Sequence, residues 1–458
     1  MKKKHFISSI ALISTMLLTG CFNKSKRGYV VFYVWGDTQE ISYYEEIASA
    51  FEEETGIHVK VQYPADEYYN NLNIAFASKN NAPDIFWTES GQFSAQISSG
   101  KLLDLSPYIE SGALDVATEN NLEGQIQLWD INDAYRYDGD NFGEGDYYAL
   151  IKDWSTDFVL WYNKDYIDLY NEQNFLEEGD DDYIAYPDEQ IPMSWDEFMD
   201  ISYRLQSIRH TKILNGTMLD RVPYKHVFEW IQMNGSSPWD ESGYYFNYND
   251  PKVIEAFQYF VDLQIGDKKS APKCTDTAGS GSGSAFANGE IAFAFFGNWA
   301  YSSYNWDSVD FEIGLCPPPT PKGGTKASDT YATTASMVGM GIYKDSTMIN
   351  EAVQFLNYYM INGQKMLASK GFNIPGNKLV AESTDFKSPS NKKLKQINTF
   401  FLNIAQKYSH TITFNQYIPQ ETVEEKLGKY FSLYLNDPNS MTLKDVLRNV
   451  YQDLKEEL

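Results

Sequence analysis

From Tyr29 onward the chain alternates between strand-like and helix-like hydrophobic spacing, and that alternation limits the fold more than any other feature. Tyr29 to Trp35 (YVVFYVW) is a continuous apolar run, the pattern of a strand covered on both faces, and Gly36-Asp37 ends it. Residues 39–54 place Ile41, Tyr44, Ile47, Ala48 and Phe51 on one helical face, and Thr55-Gly56 stops that helix. Residues 57–61 (IHVKV) alternate as a second strand, 66–79 give another amphipathic helix, and Pro83 to Trp87 supply a third strand. Strand and helix in turn, at these lengths, predict an α/β fold built on a parallel sheet.

The order changes at residues 138–146 (DGDNFGEGD), a Gly-rich acidic loop. Its composition suggests calcium, but its spacing does not match an EF-hand loop, so a solvated insertion is expected. Strands at 147–151 and 158–162 follow, and Ser194 with Glu197 has the spacing of a helix capping box. Residues 278–284 (AGSGSGS) form a flexible loop, and 317–321 (PPPTP) a rigid non-helical crossing. After Tyr343 the spacing predicts helices over 347–361, 389–408, 420–436 and 441–458, and no internal repeat is visible.

The N-terminus has a basic Met1-Lys2-Lys3-Lys4, an apolar run from Phe6 to Leu18, and then Leu18-Thr19-Gly20-Cys21. The apolar run is too short to span a bilayer comfortably and reads as a secretory signal. Leu-Thr-Gly-Cys resembles the bacterial lipobox, which implies acylation of Cys21 after removal of 1–20; an ordinary secretion signal is the alternative. Two or more acyl chains anchor durably where one is marginal. Residues 21–28 then read as a tether. With residues 1–20 go Lys2, Lys3 and Lys4, which takes the net charge from −26 to −29. A charge of that sign repels a phosphate backbone, so nucleic acid is not an expected partner. Five scattered histidines show no metal-ligand spacing, and no metal or cofactor is expected. Cys274 and Cys316 could pair or could be two small buried side chains; the second reading is favoured.

Three segments behind this leader resemble the bacterial extracellular solute-binding proteins of the maltose-binding type, the substrate receptors of ABC sugar importers. The first is Val31 to Gly36 with the helix end Ala50-Phe51-Glu52-Glu53-Glu54-Thr55-Gly56-Ile57-His58-Val59, similar to the family's opening. The second is Tyr147-Tyr148-Ala149-Leu150 through Leu160-Trp161-Tyr162-Asn163-Lys164-Asp165, similar to its "YALP…LYYNKD" crossing, with Ile151 where a proline is usual. The third is Phe286-Ala287-Asn288-Gly289-Glu290-Ile291-Ala292-Phe293 through Phe296-Gly297-Asn298-Trp299, similar to the return crossing. The resemblance implies a two-lobed, type II periplasmic-binding-protein-like α/β fold with a ligand cleft between lobes that close by hinge motion. The expected boundaries are 29–148 plus about 297–338 for the N-lobe and 149–296 plus about 339–458 for the C-lobe.

A sugar presents hydroxyls that need carboxylates and amides, and C–H patches that suit the face of an aromatic ring. Ligands of open α/β sheets sit beyond the strands' carboxyl ends. Aromatic and polar residues coincide at Trp35-Gly36-Asp37, at Trp87-Thr88-Glu89, at Lys152-Asp153-Trp154-Ser155-Thr156-Asp157 and at Asn298-Trp299. The candidate ligand-binding residues are therefore Trp35, Asp37, Glu89, Asp153, Trp154, Asn298 and Trp299. To these the resemblance adds a second-lobe aromatic, Trp230, and Tyr331 follows the flexible stretch 322–330. Each has a plainer reading: Trp35 and Trp87 as core plugs, Asp37 and Glu89 as helix caps. Trp161 and Tyr162 read as core.

The expected function is a monomeric, lipid-anchored extracytoplasmic receptor that binds a mono- or oligosaccharide and delivers it to an ABC permease, and the protein is not expected to be an enzyme. A secreted carbohydrate-active enzyme is one alternative, although no nucleophile elbow or HExxH is present. A receptor for a non-sugar solute is the other; the acidic balance would mildly favour a cation there.

Overall fold

The computed structural model describes residues 27–78, 81–156, 158–210, 214–219, 224–276, 282–303, 309–324, 333–410, 415 and 417–458. The apolar run after Tyr29 forms β1 (Val30–Tyr33), which pairs in parallel with β2 (Val59–Gln62) and with β3 (Ile85–Glu89). Helix Thr38–Thr55 joins the first two. Asp37 starts it by accepting the Gln39 and Glu40 amides, and Gly56, at φ 72°, ends it in the left-handed conformation glycine adopts without strain. Its apolar face, Ile41, Tyr44, Ile47, Ala48 and Phe51, is the one expected from spacing, and it covers the sheet.

After a small hairpin of β4 (Arg136–Tyr137) and β5 (Asp146–Tyr147), the long strand β6 (Ala149–Thr156) leads almost directly into β7 (Val159–Asn163). The acidic stretch lies in that hairpin's loop, where exposed Asp138 accepts the Asp140 and Asn141 amides. Strand β7 is the centre of a second, three-stranded sheet, flanked by β8 (Phe293–Phe296) and β9 (Ile313–Cys316), both antiparallel to it. The chain returns to the first sheet as β10 (Thr333–Ile342), wedged antiparallel between β3 and β6, and β11 (Ile374–Pro375) and β12 (Ser409–His410) complete that sheet. The first sheet is thus mixed rather than purely parallel, with order β11-β6-β10-β3-β1-β2 and β12 beside β10.

Helices Trp195–Leu205, Pro251–Ile265, Gln420–Asn436 and Leu443–Lys455 bury Phe198, Phe257, Phe431 and Val450 in one core over the second sheet. Ser194 and Glu197 form the expected capping box. Cys274 and Cys316 are both buried in this core, and burial pushes the Cys316 thiol well up. Helix Ile349–Tyr358 packs Val353, Phe355 and Leu356 against Val30 and Phe32 of the first sheet. A further cluster spans the junction, bringing Trp154, Trp161, Phe296 and Phe401 together.

Strand pairing departs from the expected lobe boundaries in two places. Residues 339–363 belong with the first sheet, because β10 inserts there and the following helix covers it; of the C-terminal stretch, residues 420–455 join the second core. Conversely, Ile313–Cys316, expected in the first lobe, is an edge strand of the second sheet. Among the described residues no helix is long and apolar enough to cross a membrane.

Candidate functional site

The two sheets meet where β6 passes into β7 and where β8 ends. Val159 pairs with Phe296, so Gly297, Asn298 and Trp299 come back alongside Ser155. Gly297 is required by this approach: a Cβ there would lie 2.1 Å from Ser155 Oγ and 2.5 Å from the Trp299 indole. Trp154, on the same strand, is buried edge-on to Trp129 at 5.2 Å between ring centroids, and Trp299 packs against the same cluster.

This junction is polar inside. Ser155 Oγ, Thr156 Oγ1 and both amide atoms of Asn298 are buried without a hydrogen-bond partner, and Asn298 is only 1% exposed. Buried polar atoms are nearly always paired, and leaving one unmet costs about 1–3 kcal/mol. Buried polar groups of this kind near Trp154 and Trp299 suit a hydroxylated guest or ordered water.

On the first-sheet side an aromatic wall stands at the carboxyl ends of β1 and β3. Trp35, half-buried, meets Tyr68 at 4.7 Å, Trp87 at 5.0 Å and Tyr69 at 6.2 Å, all edge-on. The Tyr69 hydroxyl accepts the Glu89 amide at 2.9 Å and donates to the exposed Glu89 carboxylate at 3.1 Å. Beneath the wall, the buried Lys152 ammonium lies 4.1 Å from the centre of the Trp87 ring and pairs with Asp153. Asn373 donates to the other Asp153 oxygen at 3.3 Å. Burial raises the Glu40 pKa, with nearby Lys152 opposing and Asp153 adding to the rise. The buried Tyr135 hydroxyl accepts the Gly339 amide and shares its one proton between the Thr88 and Met337 carbonyls, beside the register shift at which Lys152 of β6 is left unpaired opposite Val338 and Gly339 of β10.

Of the residues singled out by sequence, the structure brings Trp154, Asn298 and Trp299 together, and places Trp35 and Glu89 on the wall. Three others have structural partners of their own. Asp37 caps its helix, its Oδ1 accepting the Gln39 and Glu40 amides. Asp153 is 7% exposed and held by Lys152 and Asn373, as a carboxylate that deep must be paired. Trp230 is 0% exposed within the second core, against Tyr259, Phe158 and Phe295. Tyr331, Asp157 and Cys21 lie outside the described residues. Sequence reasoning passed over Ser155, Thr156, Tyr68 and Tyr69. The hydroxyls adjoining Trp154 were a signal for the first two; nothing in the spacing of a helix start marks the tyrosines. Among the described residues no group of three or more His, Cys, Asp or Glu could hold a metal ion.

Two α/β layers of different size, joined by short crossings with buried polar groups where they meet, define a two-lobed protein of the periplasmic-binding-protein-like fold. The chain belongs to the bacterial extracellular solute-binding protein family, whose pattern matches residues 35–366. The resemblance read in its opening strand and its two crossings is borne out. Over 146 residues it is 26% identical to the melibiose/raffinose/stachyose-binding protein MelE of Bacillus subtilis, a match covering 29% of this chain and 32% of that one. In structure it is similar to an ABC substrate-binding protein of Listeria monocytogenes in complex with cycloalternan: TM-score 0.73, 20% identity, 93% of this chain and 98% of that chain covered. It is also similar to maltose-bound MalE3 of T. maritima (TM-score 0.67, 18% identity, 94% and 100% covered). UgpB of Mycobacterium tuberculosis, in complex with glycerophosphocholine, shares the fold as well (TM-score 0.71, 15% identity, 94% and 98% covered).

Proposed function

We propose that the protein is a lipid-anchored extracytoplasmic receptor that captures a mono- or oligosaccharide between its lobes and delivers it to an ABC importer permease. One observation carries the carbohydrate reading: the unmet hydroxyl and amide groups of Ser155, Thr156 and Asn298, enclosed beside Trp154 and Trp299 at the junction of the sheets. Those groups would exchange hydrogen bonds with sugar hydroxyls while an indole face covers a C–H patch. The relatives named above that bind sugars support the same reading. Cys21 after Leu18-Thr19-Gly20 supports the anchor, and residues 21–28 would hold the body close to the membrane. The lobes would close by hinge motion about the crossings, which makes the closed form the delivered one.

The test is a glycan panel read by intrinsic tryptophan fluorescence and thermal stability, since a bound ligand raises stability by mass action. A sugar that binds shifts both signals in a saturable way. No response across mono-, di- and oligosaccharides would sink the carbohydrate reading. Appearance of shortened oligosaccharide on long incubation would point instead to a hydrolase.

A second reading rests on the aromatic wall. Trp35, Tyr68 and Tyr69 beside Glu89 also suit a quaternary ammonium group, held by ring faces and a carboxylate, and UgpB is a structural relative bound to such a compound. Saturable fluorescence quenching by glycerophosphocholine, with none by glycans, would favour it.

A further inference from the structure

Away from the junction, a groove of about 390 Å³ runs beside β9, the edge strand of the second sheet, and its volume suits a small solute. One wall is helix Lys392–Tyr408, which presents Lys392, Lys395, Gln396 and Phe400 to it. The other is the loop that carries Glu189 and Gln190.

Both walls are fixed to the second sheet and the residues that lead into it. On the helix side Lys393 donates to the Val309 carbonyl at 3.1 Å and Gln396 to the Ile313 carbonyl at 3.4 Å. On the loop side the Tyr162 hydroxyl donates to the Pro187 carbonyl at 3.5 Å, and Asp188 accepts the Gln190 amide at 2.7 Å. Ile313 pairs with Asn163, at the other end of β7 from Val159, which marks the junction. That anchor of the groove therefore stands about 13 Å from the junction along the strand.

Lys392, Lys395 and Glu189 line the groove, and among the described residues none of the three is in an ion pair. Lys164, Lys268, Lys426 and Lys429, by contrast, each reach a carboxylate at 2.6 to 3.4 Å. Lys392 and Lys395, three residues apart, share one helical face. The first turn of their helix also holds Lys393 and no acidic residue, so the positive end of its dipole lacks the carboxylate that would offset it. Cations on one wall, a carboxylate on the other and no bond between them complement a molecule charged oppositely at its two ends. Phe400, 7% exposed, adds an apolar floor, and Gln190 and Gln396 add amides.

We propose that this groove binds a small zwitterion, a free amino acid or a short peptide, at a site separate from the junction. The guest's carboxylate lies between Lys392 and Lys395, its ammonium at Glu189, and an apolar side chain on Phe400. Charge-assisted bonds at both ends set its orientation, and a guest with only one charge loses one of them.

Calorimetry at low salt with leucine, alanyl-leucine and alanyl-alanyl-leucine tests the site and finds the length that spans it. Each compound is repeated as its N-acetyl and C-amide form, and with two variants: Glu189→Gln, and Lys392→Gln combined with Lys395→Gln. All three positions are exposed, and a thermal melt confirms that the variants fold. The expected result is saturable binding of at least one free compound at millimolar Kd or better, about tenfold weaker when either end is blocked. The lysine variant should no longer distinguish acid from amide, and Glu189→Gln should no longer distinguish amine from acetyl. No saturable heat from any compound up to about 10 mM, blocked forms that bind as well as free ones, or binding that the variants keep overturns the proposal. The carbohydrate reading stands in either case, because none of the substituted side chains lies at the junction.

Discussion

Replacing Asn298 by leucine separates a ligand-binding role from a structural one, because the two predict opposite signs for stability. In the ligand-free protein both amide atoms of Asn298 are buried and unpaired. Each unmet group costs about 1–3 kcal/mol, less where an ordered water takes up part of the demand. A leucine of similar shape removes both, while its slightly greater bulk near Gly297, where space is already short, takes back about 1 kcal/mol. The expected net is a ligand-free protein more stable by about 1–3 kcal/mol, a rise of a few degrees in Tm. Binding moves the other way. Losing the amide leaves sugar hydroxyls unmet, worth about 2–3 kcal/mol, or roughly a 30- to 150-fold rise in Kd. At a ligand concentration of about 100 times the wild-type Kd, the wild-type protein gains about 2.7 kcal/mol and the variant a small fraction of that. Thermal melts with and without ligand, alongside calorimetry, measure both effects. A leucine variant that melts below the wild type and binds with unchanged Kd would refute the reasoning, since Asn298 would then serve the fold alone.

Trp299→Ala should weaken sugar binding about tenfold or more with little loss of stability, as the indole is only partly buried; titration and melting check both. Trp154→Ala should lose binding to a similar degree and also about 3–5 kcal/mol of stability by denaturant unfolding, because it empties a buried indole site beside Trp129. Glu40 holds its proton more tightly in the folded chain than its ordinary 4.5, so its contribution to stability is fullest below pH 4.5 and falls as pH rises through the higher folded value. Glu40→Gln, which can still accept the Asp37 amide, should therefore gain stability on the wild type as pH climbs from 4 to 7, and unfolding curves across that range test the sign. Gln92→Ala removes the bond to Glu421 and should speed ligand release about two- to tenfold in stopped flow, with association nearly unchanged.

The first half of the fold was legible because local rules and tertiary structure agree there. The apolar run at Val30, the capping Asp37 and the stop at Gly56 each act within a few residues, and the structure keeps all three. Long-range pairing was not legible. Nothing in the sequence of β10 says that it lies between β3 and β6, since an apolar strand with glycines at 339 and 341 fits either sheet. The glycines make sense only once Tyr135 and Leu102 are seen against them, where any Cβ would collide. Helical spacing after Tyr343 likewise gives an apolar face but not the sheet it covers.

The site divides along the same line. A carboxylate beside a tryptophan looks the same in sequence whether it faces a ligand or a buried lysine, so Asp153 could not be distinguished from Glu89. What separates them is depth: Asp153 is enclosed and held by Lys152 and Asn373, whereas Glu89 stays exposed on Tyr69. Trp230 is ambiguous for a related reason, as a tryptophan on an amphipathic helix is as much core as contact. The residues that best mark the recess are those whose partners are missing, and a missing partner is a property of the fold. Ser155, Thr156 and Asn298 are unremarkable polar residues until β6 and β8 converge and no main-chain or side-chain group comes to meet them. A fold that keeps several such groups at the junction of its sheets gives up stability there, and the binding of a hydroxyl-bearing ligand is the event that would recover it.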